Sequence, residues 1–127
     1  MRAWFRHSRW WFAAWLLWFA VVYVSSSMPG MGGGGPVLHF DKLVHFLSYA
    51  VGGLLLAGGL RHLRADKPNW RVIVCVAVLL TALAGLFDEW HQSFTPRRNG
   101  MDPWDWLADI LGGTIGALLI RVWHRRL

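Results

Sequence analysis

Four long apolar stretches constrain this chain before any other feature does. They cover roughly 10–28, 43–60, 70–87 and 104–123 of the 127 residues. A helix of about 20 residues crosses the roughly 30 Å hydrocarbon core of a bilayer. The second and third stretches are slightly short, yet each can extend by a turn into its polar flank. Lipid offers the backbone no hydrogen-bond partners, so a spanning segment must be a helix or part of a closed barrel. Near-continuous Leu, Val and Ala runs lack the alternation of a barrel strand, which leaves helices. The expected fold is therefore an all-α integral membrane protein. It is a single domain over 1–127, a bundle of four transmembrane helices at about 10–28, 43–60, 70–90 and 104–123. With 16% charged residues against 55% hydrophobic, the chain is poorer in charge than a soluble domain, where about a quarter is usual. Trp10, Trp11, Trp70, Trp90, Trp104, Trp106 and Trp123 fall near the segment ends, where amphipathic rings favour the interface. Cys75 stands alone in an apolar run, which excludes an internal disulfide and a cysteine zinc site.

The basic residues set the expected orientation. Arg2, Arg6 and Arg9 precede the first span. Arg61, Arg64, Lys67 and Arg71 surround the middle connection, and Arg121, Arg125 and Arg126 close the chain. Ten of the 13 basic residues thus share one side, and only Lys42, Arg97 and Arg98 fall opposite. By the positive-inside rule both termini and the middle loop are cytoplasmic. The net charge of +6 then reports topology and anionic-lipid contact rather than a nucleic-acid partner. The basic start, apolar run and Ser25-Ser26-Ser27 resemble a secretory leader, but the Trp-rich core and the lack of an Ala-x-Ala site favour an uncleaved span.

The acidic residues are as uneven. Asp41, Asp88, Glu89, Asp102, Asp105 and Asp109 lie at outer ends, and only Asp66 lies inside. The first outer connection, 25–40, carries a Gly/Pro-rich linker expected to be mobile. The second, 88–104, reads DEWHQSFTPRRNGMDPW. Helical spacing turns the polar residues into faces. Asp41, His45 and Tyr49 share a stripe on the second helix, continued inward by Gly52 and Gly53. Thr81, Gly85, Asp88 and Gln92 form one on the third, with Glu89 beside it. On the fourth, Asp102, Asp105 and Asp109 precede Gly112-x-x-x-Gly116, a small-residue spacing that permits close helix approach. Three such faces can converge only on each other. The first helix has no such stripe and is expected at the periphery.

Taken together, these motifs resemble the VanZ-like membrane proteins. The resemblance rests on Ser26 and Pro29 after the first span and on Asp41-Lys42-x-x-His45-Phe46-x-x-Tyr49 opening the second. It continues through Asp88-Glu89-x-x-Gln92-x-x-x-Pro96 and Arg98, then Asp105-x-x-x-Asp109-x-x-Gly112-x-x-x-Gly116. Two departures are visible: many relatives have Gly where Arg97 stands, and the position of Asp109 is Asn in some. The family is named for a protein linked to teicoplanin resistance. The resemblance thus implies a multi-pass protein of the bacterial cytoplasmic (inner) membrane and cell envelope, with an effect on glycopeptide susceptibility as its finer implication.

The chemistry of the cluster admits several readings. Ionisable groups at membrane depth are functional candidates by default, most of all Asp109, one turn inside its span. Asp41, Lys42, His45, Tyr49, Asp88, Glu89, Gln92, Arg97, Arg98, Asp105 and Asp109 are the candidate ligand-binding residues. Within them, Arg97 and Arg98 are suited to a bidentate phosphate or carboxylate clamp; the rival role for Arg98 is a salt bridge to Asp102 or Asp105. Tyr49 and Gln92 read as neutral hydrogen-bond partners. Candidate catalytic groups are Asp88, Glu89, His45 and Asp109, with Glu89 paired to Asp88 or Asp109 for acid–base work. His45, Asp88, Glu89, His91 and Asp109 have the donor types of an oxygen/nitrogen metal site. No pairing fixes two such ligands on one helix face, so no metal and no cofactor is expected. Two classes remain: a non-enzymatic envelope protein binding a lipid-linked or anionic headgroup, and a membrane enzyme acting on such a ligand. The first is preferred; transport ranks below both, as no inverted repeat is apparent. Membrane lipids and a lipid-linked cell-wall precursor are the expected partners, and oligomeric state is not set by the pattern.

The orientation is checked by single-cysteine labelling in intact cells. An impermeant thiol reagent is expected to reach Gly34→Cys and Asn99→Cys from outside, and Asp66→Cys only after permeabilisation. Labelling of position 66 in intact cells contradicts this topology.

Overall fold

The computed structural model describes residues 7–29, 39–63 and 67–124. The Gly/Pro-rich linker across 30–38 lies outside them, as do Arg2, Arg6, Arg64, Asp66, Arg125 and Arg126. The described residues form four helices and no strand: α1 (Ser8–Ser27), α2 (Phe40–Leu63), α3 (Trp70–Gln92) and α4 (Pro103–Trp123). Each is long and apolar enough to cross a membrane. Every helix reaches beyond its apolar stretch at one end or both, because flanking residues continue it as first or last turns.

Local chemistry fixes where these helices begin. Asn69 caps α3, its side chain accepting from the Val72 N–H at 3.3 Å. Asp102 caps α4 by accepting from the Trp104 N–H at 2.8 Å, and Pro103 follows at the first helical position. There the missing N–H costs nothing and the fixed φ suits the helix.

The bundle is antiparallel. The ends of α1 and α3 and the starts of α2 and α4 lie together, as the contact of Ser26 with Asp88 and of His45 with Asp109 requires. At the opposite end Trp11 stacks on His62, and the Arg61 Nε–H donates to His124 Nε2 at 3.0 Å. The closest pair is α2 with α4, and glycine makes it possible. A Cβ at Gly112 would fall on the Phe46 carbonyl oxygen and one at Gly116 on the Ala50 carbonyl oxygen. Any side chain at these two positions would force backbone away from backbone, so the expected small-residue spacing is the seam of the bundle.

A small apolar core of Leu56, Ala57, Ile73, Ala77, Ala117 and Ile120, closed by Trp11, fills the half away from the acidic end. Large side chains such as Leu17, Leu79, Leu83 and Leu119 are exposed. That is how a helix bundle presents itself to lipid rather than to water. Helix α1 buries only Trp11 and Ser26, as a peripheral helix should, but its last turn turns out to belong to the polar end.

Candidate functional site

The polar end of the bundle is built around two basic side chains of α2, Lys42 near the rim and His45 deeper. Lys42, the third residue of α2, places its ammonium 2.6 Å from Asp41, 3.0 Å from Asp102 and 2.7 Å from Asp105. Both neighbouring helix starts bring acids here, where the positive ends of the helix dipoles favour them. The pair with Asp105 matters most, since that carboxylate is buried whereas Asp41 is exposed and its pair is screened by solvent. Asp102 lies outside the spans. Burial pushes its carboxyl up, but the Lys42 ammonium and the Trp104 N–H hold it below the usual carboxylate range.

One turn deeper, His45 Nδ1 lies 2.8 Å from Asp109 Oδ1. With Asp109 ionised, the carboxylate can only accept, so Nδ1 carries the hydrogen and donates. The other ring nitrogen, Nε2, then faces Glu89 Oε1 and Asp105 Oδ2, each at 3.8 Å. The His45 ring runs nearly parallel to that of Tyr49, which meets Trp18 of α1 edge-on at 5.2 Å. Asp109 sits against Gly85 of α3, where an added Cβ would lie 2.6 Å from Asp109 Oδ2. That small residue is what lets the fourth helix carry a carboxylate at this depth.

Asp88 and Glu89 are adjacent on α3 and take different hydrogen-bond partners, while one oxygen of each stays within 4.8 Å of the other. Asp88 turns to α1 and accepts from the Ser26 hydroxyl, and from Gln92 Nε2 at 3.0 Å. Glu89 turns to the start of α4, where its Oε2 accepts the Asp102 N–H at 2.9 Å. Both are buried. The Met101 N–H donates to the Glu89 carbonyl at 3.1 Å, which folds the 93–102 connection back over this end.

Most sequence candidates come together, with four differences. Arg98 makes neither a salt bridge to Asp102 or Asp105 nor a clamp beside the carboxylates. Its Nε–H donates to the Met28 carbonyl at 3.0 Å and an Nη2–H to that of Ser25 at 2.8 Å, so it caps the carbonyls at the end of α1. Arg97 is exposed, with φ at 60°, the left-handed region where glycine is at ease. His91 leaves the cluster: its ring stacks on Tyr23 at 4.5 Å and its Nε2 lies 2.9 Å from the Ser27 hydroxyl. The Tyr49 hydroxyl is near enough to Asp88 to feel its charge, yet makes no hydrogen bond of ordinary geometry among the described residues, whereas Gln92 bonds as expected.

The last turn of α1 contributes what the spacing did not assign. Ser26 is buried, its hydroxyl on Asp88, while buried Thr95 donates to the Ser26 carbonyl at 2.9 Å. In the sequence the serine triplet resembles the end of a secretory leader. Only Ser26 as part of the family pattern pointed elsewhere.

Three buried side-chain oxygens in this region have no hydrogen-bond partner among the described residues: the Tyr49 hydroxyl, Glu89 Oε1 and Asp109 Oδ2. Tyr49 and Glu89 are 1% exposed and Asp109 0%. The arrangement can accept hydrogen bonds, hold a proton between Asp109 and His45, or hold positive charge; it offers little to a bare anion.

A family model described as VanZ/LLP1 matches residues 3–124. No curated protein and no solved structure matches the chain.

The Asp109 contacts carry a prediction. Asp109→Asn keeps an acceptor of the same shape opposite His45 and is expected to stay folded. Asp109→Leu leaves the His45 Nδ1–H buried without an acceptor, a loss of about 1–3 kcal/mol. Thermal unfolding in detergent checks the order. Equal melting temperatures for the two variants contradict it.

Proposed function

The chain belongs to the VanZ-like family, and on that premise we propose that it is a cell-envelope protein of the bacterial cytoplasmic membrane that binds a lipid or lipid-linked cell-wall headgroup. Binding is at the acidic end of the bundle, which the positive-inside distribution assigns to the outer face. The observation that carries this reading is the trio of buried, unpartnered oxygens on Tyr49, Glu89 and Asp109. Such groups cost free energy to desolvate, and a ligand that donates to them recovers it. The lining is rich in acceptors, so it engages the hydroxyl or amine part of a headgroup. An anionic part is left to exposed Arg97, since Arg98 is committed to the end of α1. An effect on glycopeptide susceptibility follows from engagement of a cell-wall precursor.

One observation favours an enzymatic alternative. His45 is oriented by Asp109 through Nδ1, and its Nε2 faces Glu89. A histidine aligned by a carboxylate is poised as a general base towards a bound hydroxyl. On that reading the same headgroup is transformed rather than held.

Native mass spectrometry of the protein extracted in mild detergent tests the proposal. One headgroup class is expected to be enriched over the bulk membrane. Folded Glu89→Gln and Asp88→Asn variants should lose it about tenfold or more, and lipid-facing Leu119→Ala should retain it. Retained lipid matching the bulk, or unaffected by both cluster variants, overturns the binding reading. If Asp109→Asn retains the lipid yet behaves as a deletion in teicoplanin susceptibility, the enzyme reading replaces it.

A further inference from the structure

Two groups of side chains at the acidic end have the spacing of cation ligands, and they differ in what already sits among them. One carboxylate oxygen from each of Asp41, Asp102 and Asp105 lies within 4.8 Å of the other two. There the Lys42 ammonium contacts all three, so this group has its cation. His45, Asp88 and Glu89 likewise present one ligand atom each, all within 4.8 Å of one another, and no Lys or Arg side chain contacts them among the described residues.

We propose that His45, Asp88 and Glu89 form a binding site for a first-row divalent metal ion, zinc or manganese, held by one imidazole nitrogen and two carboxylates. The site stands on side-chain geometry alone and goes beyond the headgroup reading.

Each ligand is held by a second group that leaves an atom for the ion. Asp109 accepts from His45 Nδ1 at 2.8 Å, which directs the Nε2 lone pair away from it. A carboxylate behind a histidine is the usual outer support of a metal-bound imidazole. The Asp102 N–H fixes Glu89 Oε2 at 2.9 Å, while Oε1 is buried and has no partner among the described residues. Ser26 and Gln92 orient Asp88, whose oxygens retain lone pairs for a metal bond. His45 Nε2 and Glu89 Oε1 are 3.8 Å apart. Two bonds of about 2.1 Å to one ion at an obtuse angle span this distance.

Two further observations, one from a neighbouring side chain and one from charge, point to the same occupant. Tyr49 is 1% exposed, its ring runs nearly parallel to that of His45, and its buried hydroxyl has no hydrogen-bond partner of ordinary geometry among the described residues. It is placed to bond a water on the ion. Charge gives the second. Asp88, Glu89 and Asp109 face His45 as their one basic neighbour, because Lys42 is engaged by Asp105 and its companions and Arg98 by two carbonyls. In an apolar bundle uncompensated carboxylates are costly, and a divalent cation removes that cost. Imidazole with carboxylates selects first-row metals over magnesium or calcium. The usual helical metal motifs were no guide here, since the ligands come from two helices and from neighbouring positions on one of them.

The test uses the full chain, purified in detergent without an affinity tag and stripped by chelator, with Zn²⁺ or Mn²⁺ alone as probe. About one ion per chain is expected, together with a higher melting temperature. Glu89→Gln and His45→Ala should lose it, whereas His62→Ala, His91→Ala and Asp41→Asn should keep it. In case both cluster variants misfold, pulsed electron paramagnetic resonance of the Mn²⁺-loaded wild type reads the ligands directly. Nitrogen coupling from one imidazole supports the site. No stoichiometric binding, binding unchanged in folded Glu89→Gln, or no nitrogen coupling overturns it, with the headgroup measurement left unaffected.

Discussion

Carboxylates gathered at one end of an apolar bundle have to be compensated by the chain or by something it binds, and the rest of this structure follows from how that is arranged. Two basic side chains of α2 do most of the work. Lys42 reaches across to both acids at the start of α4, and His45, one turn in, meets Asp109. Each contact crosses from α2 to α4, so compensation and helix packing are the same event. It is possible only because these helices touch at backbone distance along Gly112 and Gly116. A wider seam would leave the imidazole short of its carboxylate.

The remaining two helices close this unit. Helix α3 supplies Asp88 and Glu89, one bonded to α1 and the other to the N–H of Asp102. Helix α1 is otherwise turned to lipid, yet Arg98 and Thr95 from the 93–102 connection bind the carbonyls of its last turn. The connection thereby ties α1 to the site and frees Ser26 to meet Asp88. What is left over after these bonds are made is hydrogen-bonding capacity, two acceptor oxygens on Glu89 and Asp109 and the hydroxyl of Tyr49. That surplus is what gives the end its chemical character.

The helices and their faces were legible in the sequence because lipid as a solvent tolerates few alternatives. The four spans, the Gly112/Gly116 seam and the convergence of His45, Asp88, Gln92, Asp105 and Asp109 all follow from apolar length and helical spacing. The family pattern was legible too, whereas the left-handed backbone at Arg97 was not, because Arg in that place left the turn geometry open. Partners that are backbone carbonyls were not. Nothing in a pattern of charges distinguishes an arginine that pairs with Asp102 from one that caps a helix end, and Arg98 does the latter. Nor does spacing reveal that Lys42 takes three carboxylates at once, leaving His45 to face the deeper ones. Those assignments depend on side-chain reach across helices, which only three-dimensional placement supplies.

The central claim is that α2 and α4 are coupled through buried charge at this end rather than by apolar packing alone. A double-mutant cycle on His45 and Asp109, read as unfolding free energy in detergent, tests it most directly. The single variants His45→Ala and Asp109→Ala and their double should be non-additive, with a coupling above about 1 kcal/mol. The double variant should be closer in stability to either single than to their sum. Additive losses would contradict the claim and reduce the contact to two independent polar residues.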